Sequence, residues 1–245
     1  MEDDGFTLVK RKKRRNAAQQ QNARENKKKR IFDTAFLEIC DKDEMLQKLE
    51  KSCELLNKIG IFSETFNFIK NPDKIENIIC FGLGNFASCS AALYQLAWLN
   101  LVIEKLDFHK KFEISQKIYF YDPIFTEFEK NFIKNELKYS LLTENTECKH
   151  TINSETLFYM PRLYKTHYNN VLSSNYDNLD QIQIFSTSFN IMFQDIDHNE
   201  QPILAKLNSG KSDYEIIEKR IPDYEELFNI FTYQSLHSFQ RKQKL

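Results

Sequence analysis

The chain has 245 residues, 41% hydrophobic and 13% aromatic, with 21 phenylalanines against five glycines and five prolines. That suits one globular domain with a sizeable core and leaves little room for low-complexity linkers. The net charge of −1 hides an asymmetry, because residues 1–30 carry eleven Lys/Arg and four Asp/Glu while the remainder is acidic. An acidic body is a poor non-specific nucleic-acid surface, which needs dense positive charge. No apolar N-terminal segment and no run of eighteen apolar residues is present, so neither a secretory signal nor a membrane span is expected. Five cysteines (Cys40, Cys53, Cys80, Cys89, Cys148) without a C-x-x-C argue against a disulfide framework or a zinc ribbon and for reduced thiols.

In chain order, residues 1–30 read as a disordered basic segment and residues 31–245 as a single α/β domain with an N-terminal helical extension. The clusters Lys10–Arg15 and Lys27–Arg30 flank a Gln/Asn-rich spacer. Charge this dense repels itself, and it suits a bipartite nuclear-import signal or a solubilising or weakly RNA-binding tail. Met45, Leu46, Leu49, Cys53, Leu56 and Ile59 recur at three- and four-residue steps. They predict an amphipathic helix between Glu44 and Lys70, broken near Gly60.

Four apolar runs follow, each ending in small or polar residues: Ile75–Phe81, Lys117–Tyr121, Thr156–Tyr159 and Ile182–Phe185. Ala91–Leu106, Glu127–Lys138 and Tyr164–Ser173 are long enough for crossover helices between them. Alternating strand and helix implies a Rossmann-like, mostly parallel sheet flanked by helices. Tyr214–Glu218 and Leu236–Phe239 are further strand candidates, and Asp223–Phe231 reads as the start of a last helix.

Ligands of such sheets bind beyond the carboxyl ends of the strands. That rule gathers Gly82, Gly84, Asn85, Asp122, Pro161, Ser186 and Ser188 along one edge as candidate ligand-binding residues. Gly82, Gly84 and Ala87 match the G-x-G-x-x-G/A spacing of a dinucleotide turn. Asp122 stands where a ribose acid would, although forty residues after Gly82 instead of about twenty. The same residues also suit a packing turn and an Asp-Pro turn. The P-loop, the G-x-S-x-G elbow and the zinc-protease histidine spacings are all absent from the sequence. No catalytic residue and no metal ligand set is assigned.

Several short motifs, in order, resemble the Sensitivity-to-Red-Light-Reduced (SRR1-like) family. They are Asp4-Gly5-Phe6-Thr7-Leu8-Val9, Cys80 through Ala87, Gln95-Leu96-Ala97, Tyr121 through Thr126 and Phe158-Tyr159-Met160-Pro161. Tyr168 through Leu172, Ser188-Phe189 and Ser235-Leu236-His237 complete the series. Arg162-Leu163 stand where the family usually has His-Cys, which removes its most obvious metal- or haem-ligand pair. Thr187-Ser188-Phe189 replace the usual Asn-Ser-Phe.

The resemblance implies a regulatory protein linked to circadian-clock input and haem-biosynthesis control, in cytoplasm and nucleus. It carries no catalytic activity over. An unidentified small ligand and regulatory protein partners are the expected company, with no membrane. The rivals are an enzyme using S-adenosylmethionine or a dinucleotide and a protein-interaction scaffold with a vestigial cleft.

Overall fold

The computed structural model describes residues 41–108, 117–227 and 230–243. The basic segment 1–30 lies outside them. The first helix, α1 (Lys42–Lys58), starts where the Asp41 carboxylate accepts the backbone N–H groups of Asp43 and Glu44, each at 2.9 Å. That caps two otherwise unsatisfied donors. Met45, Leu49, Ser52 and Leu56 form its buried stripe. Gly60, at φ 83°, turns the chain into α2 (Ile61–Phe66), so the predicted break falls at the one residue without a β-carbon penalty there.

Among the described residues one seven-stranded sheet forms, with the order β3-β2-β1-β4-β5-β7-β6. The strands are β1 (Asn77–Phe81), β2 (Ile118–Tyr121), β3 (Ser140–Leu141), β4 (Thr156–Met160), β5 (Ile182–Thr187), β6 (Tyr214–Arg220) and β7 (Gln234–Arg241). The first five pair in parallel, and β7 runs antiparallel to both β5 and β6. α3 (Ser90–Lys105) follows β1. α4 (Glu127–Asn131), continued by a π-helical turn at Phe132–Glu136, follows β2, and α5 (Lys165–Ser174) follows β4. The four predicted strands and three crossovers are therefore present, and the sheet is α/β and mostly parallel.

Strand alternation distributes the core between the two faces. Ile79, Phe81, Phe158, Met160, Ile182 and Ile184 share one cluster with Tyr168, Val171 and Leu172 of α5. On the other face Trp98 of α3 packs on Tyr159 and Phe185, at centroid distances of 5.5 and 4.7 Å. Its indole N–H donates to Thr65 Oγ1 at 2.8 Å, which ties α2 to the same layer.

One predicted helix is corrected. Asp223–Phe231 holds only a 3₁₀ turn at Glu225–Leu227 among the described residues. Leu227, Ile230 and Phe231 are all buried. The segment must also return the chain from Arg220 to Ser235, which are ladder partners. Two further helices, α6 (Phe189–Met192) and α7 (Pro202–Asn208), are additions to the expected list.

Candidate functional site

The order of a doubly wound sheet reverses at one point, and the crevice left there beyond the carboxyl ends is where ligands bind. Here the reversal lies between β1 and β4. A cleft of about 430 Å³ opens at that point, within the size range of small-molecule sites. The end of β1 contributes Phe81 through Gly84, the end of β2 contributes Tyr121 through Ile124, and the segment after β4 contributes Arg162, Leu163 and Tyr164. The start of α3 and His167 of α5 complete the walls. Phe86 turns away from it into a fully buried contact with Phe125 and Phe132.

The glycine turn is not a dinucleotide turn. In that fingerprint the helix begins at the glycines and its free N–H groups hold a pyrophosphate. Here α3 begins only at Ser90, after a separate turn at residues 86–88. Several of the loop N–H groups are already occupied. Gly84 N–H donates to Asp122 Oδ2 at 2.8 Å, Ala87 N–H to Glu129 Oε1 at 2.9 Å and Ser88 N–H to Asn85 Oδ1 at 3.0 Å. The other Asp122 oxygen accepts Ile124 N–H at 3.0 Å.

Gly82 (φ +67°) is covered as well, because a β-carbon there would stand 2.3 Å from Leu163 Cδ2. Leu163 is held in place by Tyr168, whose hydroxyl accepts Leu163 N–H and donates to Met160 O, both at 2.9 Å. The backbone approach that glycine permits is thus taken by a side chain of this chain.

Glu129, fully buried, was not expected from the site motifs. It also accepts Thr126 N–H at 2.9 Å and Thr126 Oγ1–H at 3.1 Å through Oε2, closing a capping box at the start of α4. Burial pushes its carboxyl up, opposed by these hydrogen bonds and one from Phe86 N–H. The signal was present in the sequence as Thr126-x-x-Glu129.

The seven candidate residues separate into three groups. Gly82, Gly84 and Asp122 line the cleft. Asn85 caps the turn behind it. Pro161, Ser186 and Ser188 belong to a buried polar lock on β5, β6 and β7: Gln234 Nε2–H donates to Pro161 O at 3.0 Å, and Ser186 Oγ lies 3.2 Å from His237 Nδ1.

His237 is fully buried. Its Nδ1 lies 3.1 Å from Ile184 O, and its Nε2 lies 3.2 Å from Phe189 N. Glu218 Oε1 stands 3.6 Å from Nε2, accepts Ser235 Oγ–H at 2.8 Å, and Oε2 accepts Asn190 N–H at 3.2 Å. Ser186, His237 and Glu218 have the residue types of a hydrolytic triad, but all three polar groups are spent on strand-to-strand contacts.

Burial pushes the Glu218 carboxyl up, but hydrogen bonding with His237, Ser188 and Ser235 outweighs it and holds the group at about 2. Its folded value lies below its unfolded value of about 4.3, so the stabilisation is complete above that pH and is lost as pH falls through 2. Glu218→Gln is expected to flatten the loss of stability between about pH 5 and pH 2 by about 1–3 kcal/mol. Urea midpoints of parent and variant across that range check it, and parallel curves would contradict it.

The cleft also presents cysteines. Cys148, on its wall, has a thiol pushed up to about 12 by burial and then by the Glu147 charge, so it is a poor nucleophile at neutral pH. Cys53, Cys80, Cys89 and Cys148 are free thiols. Among the described residues no cluster of three or more His, Cys, Asp or Glu could hold a metal ion, and no helix is long and apolar enough to cross a membrane.

Fold and cleft together define a doubly wound α/β domain with an open cleft at its switch point. The chain belongs to the SRR1 domain family, whose match covers residues 45–240. It is similar to the mouse SRR1-like protein (37% identical over 151 residues, 59% of this chain and 58% of that one). It is also similar to the Drosophila melanogaster SRR1-like protein (27% over 176 residues, 71% and 58%). The Arabidopsis thaliana protein Sensitivity to Red Light Reduced 1 is 22% identical over 173 residues, 65% and 61% of the two chains. The matched region thus spans about three-fifths of these relatives' length. Among solved structures, the methyltransferase domain of bacterial CtHen1-C aligns with 80% of this chain and 98% of its own, at TM-score 0.36 and 12% identity.

Proposed function

We propose that this chain is a regulatory protein of the SRR1-like kind that holds a small ligand in the switch-point cleft. Circadian-clock input and control of haem biosynthesis are the processes it serves, in cytoplasm and nucleus. Family membership supports the regulatory role, and the name of the Arabidopsis relative supports the link to light. The basic clusters of residues 10–15 and 27–30 support nuclear import. The observation that carries the ligand is the cleft itself, open and lined by Asp122, with neither Phe81 nor Phe86 filling it.

The glycine turn favours a ligand without a pyrophosphate, since Asp122, Glu129 and Asn85 already use its donors. That weighs against the dinucleotide branch of the enzyme reading. Exposed Ile124 and Tyr164, 60% and 80% accessible, sit on the cleft rim and suit a protein partner that senses whether the cleft is filled.

Ala91 lines the cleft from the first turn of α3 and is half-buried, so a larger side chain there fills the cleft without entering the core. Ala91→Trp is expected to keep the parent's melting temperature. In cells lacking the parent gene, the parent chain should restore clock and haem-pathway transcripts under varied light and iron, and Ala91→Trp should not. Full rescue by a folded Ala91→Trp chain would refute ligand-dependent regulation.

A further inference from the structure

A second hollow, of about 400 Å³, adjoins the cleft on the other side of the β2 terminus. The two share Tyr121, Asp122 and Pro123. The hollow lies between the ends of β2 and β3 and is walled by Phe120, Phe125, Leu142 and Thr143, with Lys130 and Lys134 at its edge. We propose that this hollow is the phosphate pocket of the cleft's ligand, and that the ligand is a nucleoside carrying a phosphate on its ribose ring. The body of the ligand occupies the cleft, a ribose hydroxyl meets Asp122, and the phosphate sits against Lys130 and Lys134. The inference rests on the cleft being a ligand site.

Three observations converge on it. The first is position. In doubly wound sheets an acid ending the second strand takes a ribose hydroxyl, or, where the ribose carries a phosphate, a cation nearby takes that phosphate. Asp122 directly follows β2, lines both cavities, and each oxygen accepts a single backbone N–H, leaving a lone pair for a hydroxyl.

The second is charge. Lys130 and Lys134 are four residues apart and reach the same hollow. Lys130 pairs with Glu127 at 2.7 Å, but both side chains are well exposed, 42% and 82% accessible, and such a pair yields readily to a dianion. Lys134 has no hydrogen-bond or ion-pair partner among the described residues. It sits in the π-helical turn Phe132–Glu136, a rare geometry that recurs at functional sites.

The third is that three donors of the glycine turn are already bound, Gly84 N–H by Asp122, Ala87 N–H by Glu129 and Ser88 N–H by Asn85. Arg162, on the opposite wall, donates to Ile230 O at 3.3 Å.

Calorimetric titration of the full chain with adenosine, adenosine 2′-phosphate, adenosine 3′-phosphate and inorganic phosphate tests the inference. One of the two ribose phosphates is expected to bind at least tenfold more tightly than adenosine. Lys130→Gln and Lys134→Gln should each reduce that advantage severalfold and leave adenosine binding unchanged, and Ala91→Trp should abolish binding of both. Equal affinity for adenosine and its ribose phosphates would overturn the phosphate pocket and leave the cleft standing. Inorganic phosphate binding as tightly as the nucleotide, unaffected by Ala91→Trp, would make the hollow an independent anion site and overturn the inference. Failure of all four probes would overturn the ligand class, and the rescue experiment with Ala91→Trp then decides separately whether the cleft functions at all.

Discussion

Glu129→Ala is expected to lower the stability of the chain by about 3–5 kcal/mol. The side chain is fully buried and receives hydrogen bonds from Ala87 N–H, Thr126 N–H and Thr126 Oγ1–H. Alanine leaves the buried Ala87 N–H with no partner and removes both half-buried Thr126 contacts, and each buried unsatisfied donor costs about 1–3 kcal/mol. The start of α4 and the loop after β1 lose their shared anchor together. Glu129→Gln keeps one acceptor oxygen but presents an NH₂ group to donors on the other side, so it should cost about half as much. Urea denaturation of the three proteins measures it. A loss below about 1 kcal/mol for Glu129→Ala would mean that the loop does not depend on this carboxylate.

The second large effect concerns the contact that closes the glycine turn. Gly82→Ala is expected to cost about 2–4 kcal/mol, from two separable sources. One is the φ of +67°, which a β-carbon disfavours by about 1 kcal/mol. The other is the 2.3 Å approach to Leu163 Cδ2, which forces Leu163 to move. Leu163→Ala removes the second source alone. In that background Gly82→Ala should cost only the backbone part, so a double-mutant cycle should show a coupling of about 1–3 kcal/mol. Additive costs would show that Leu163 does not rest on Gly82, and the glycine turn would again be free to approach a ligand.

Much of the fold was legible because the parallel strands are short apolar runs, and residues 78–81, 156–160 and 182–186 are buried on both faces. β3, only Ser140–Leu141, carries no apolar run to find. The helix α7 was signalled by Pro202 at its first turn and by Ile203, Leu204 and Leu207, a stripe too short to stand out in an otherwise polar stretch. At the site, the carboxyl-end rule located the edge but not the direction of each side chain. Ser186 and Ser188 lie on that edge and yet are hydrogen-bonded toward β6 and β7. Leu163 and Gly82 are far apart in sequence, and their contact depends on the β1–β4 pairing and on the Tyr168 hydroxyl, neither of which leaves a local pattern. The G-x-G-x-x-A spacing was misleading because loop length decides whether glycines meet a helix N-terminus, and here the helix begins at Ser90.

The proposed regulation depends on the switch-point cleft of this SRR1-domain protein being a ligand site. Backbone amide NMR shifts of the full chain, recorded while a small-molecule extract of cells is titrated in, test it most directly. Shifts clustered at residues 82–92, 121–124 and 162–167, all lost in Ala91→Trp, are the expected result. No shifts, or shifts scattered outside the cleft and unchanged by that substitution, would contradict it.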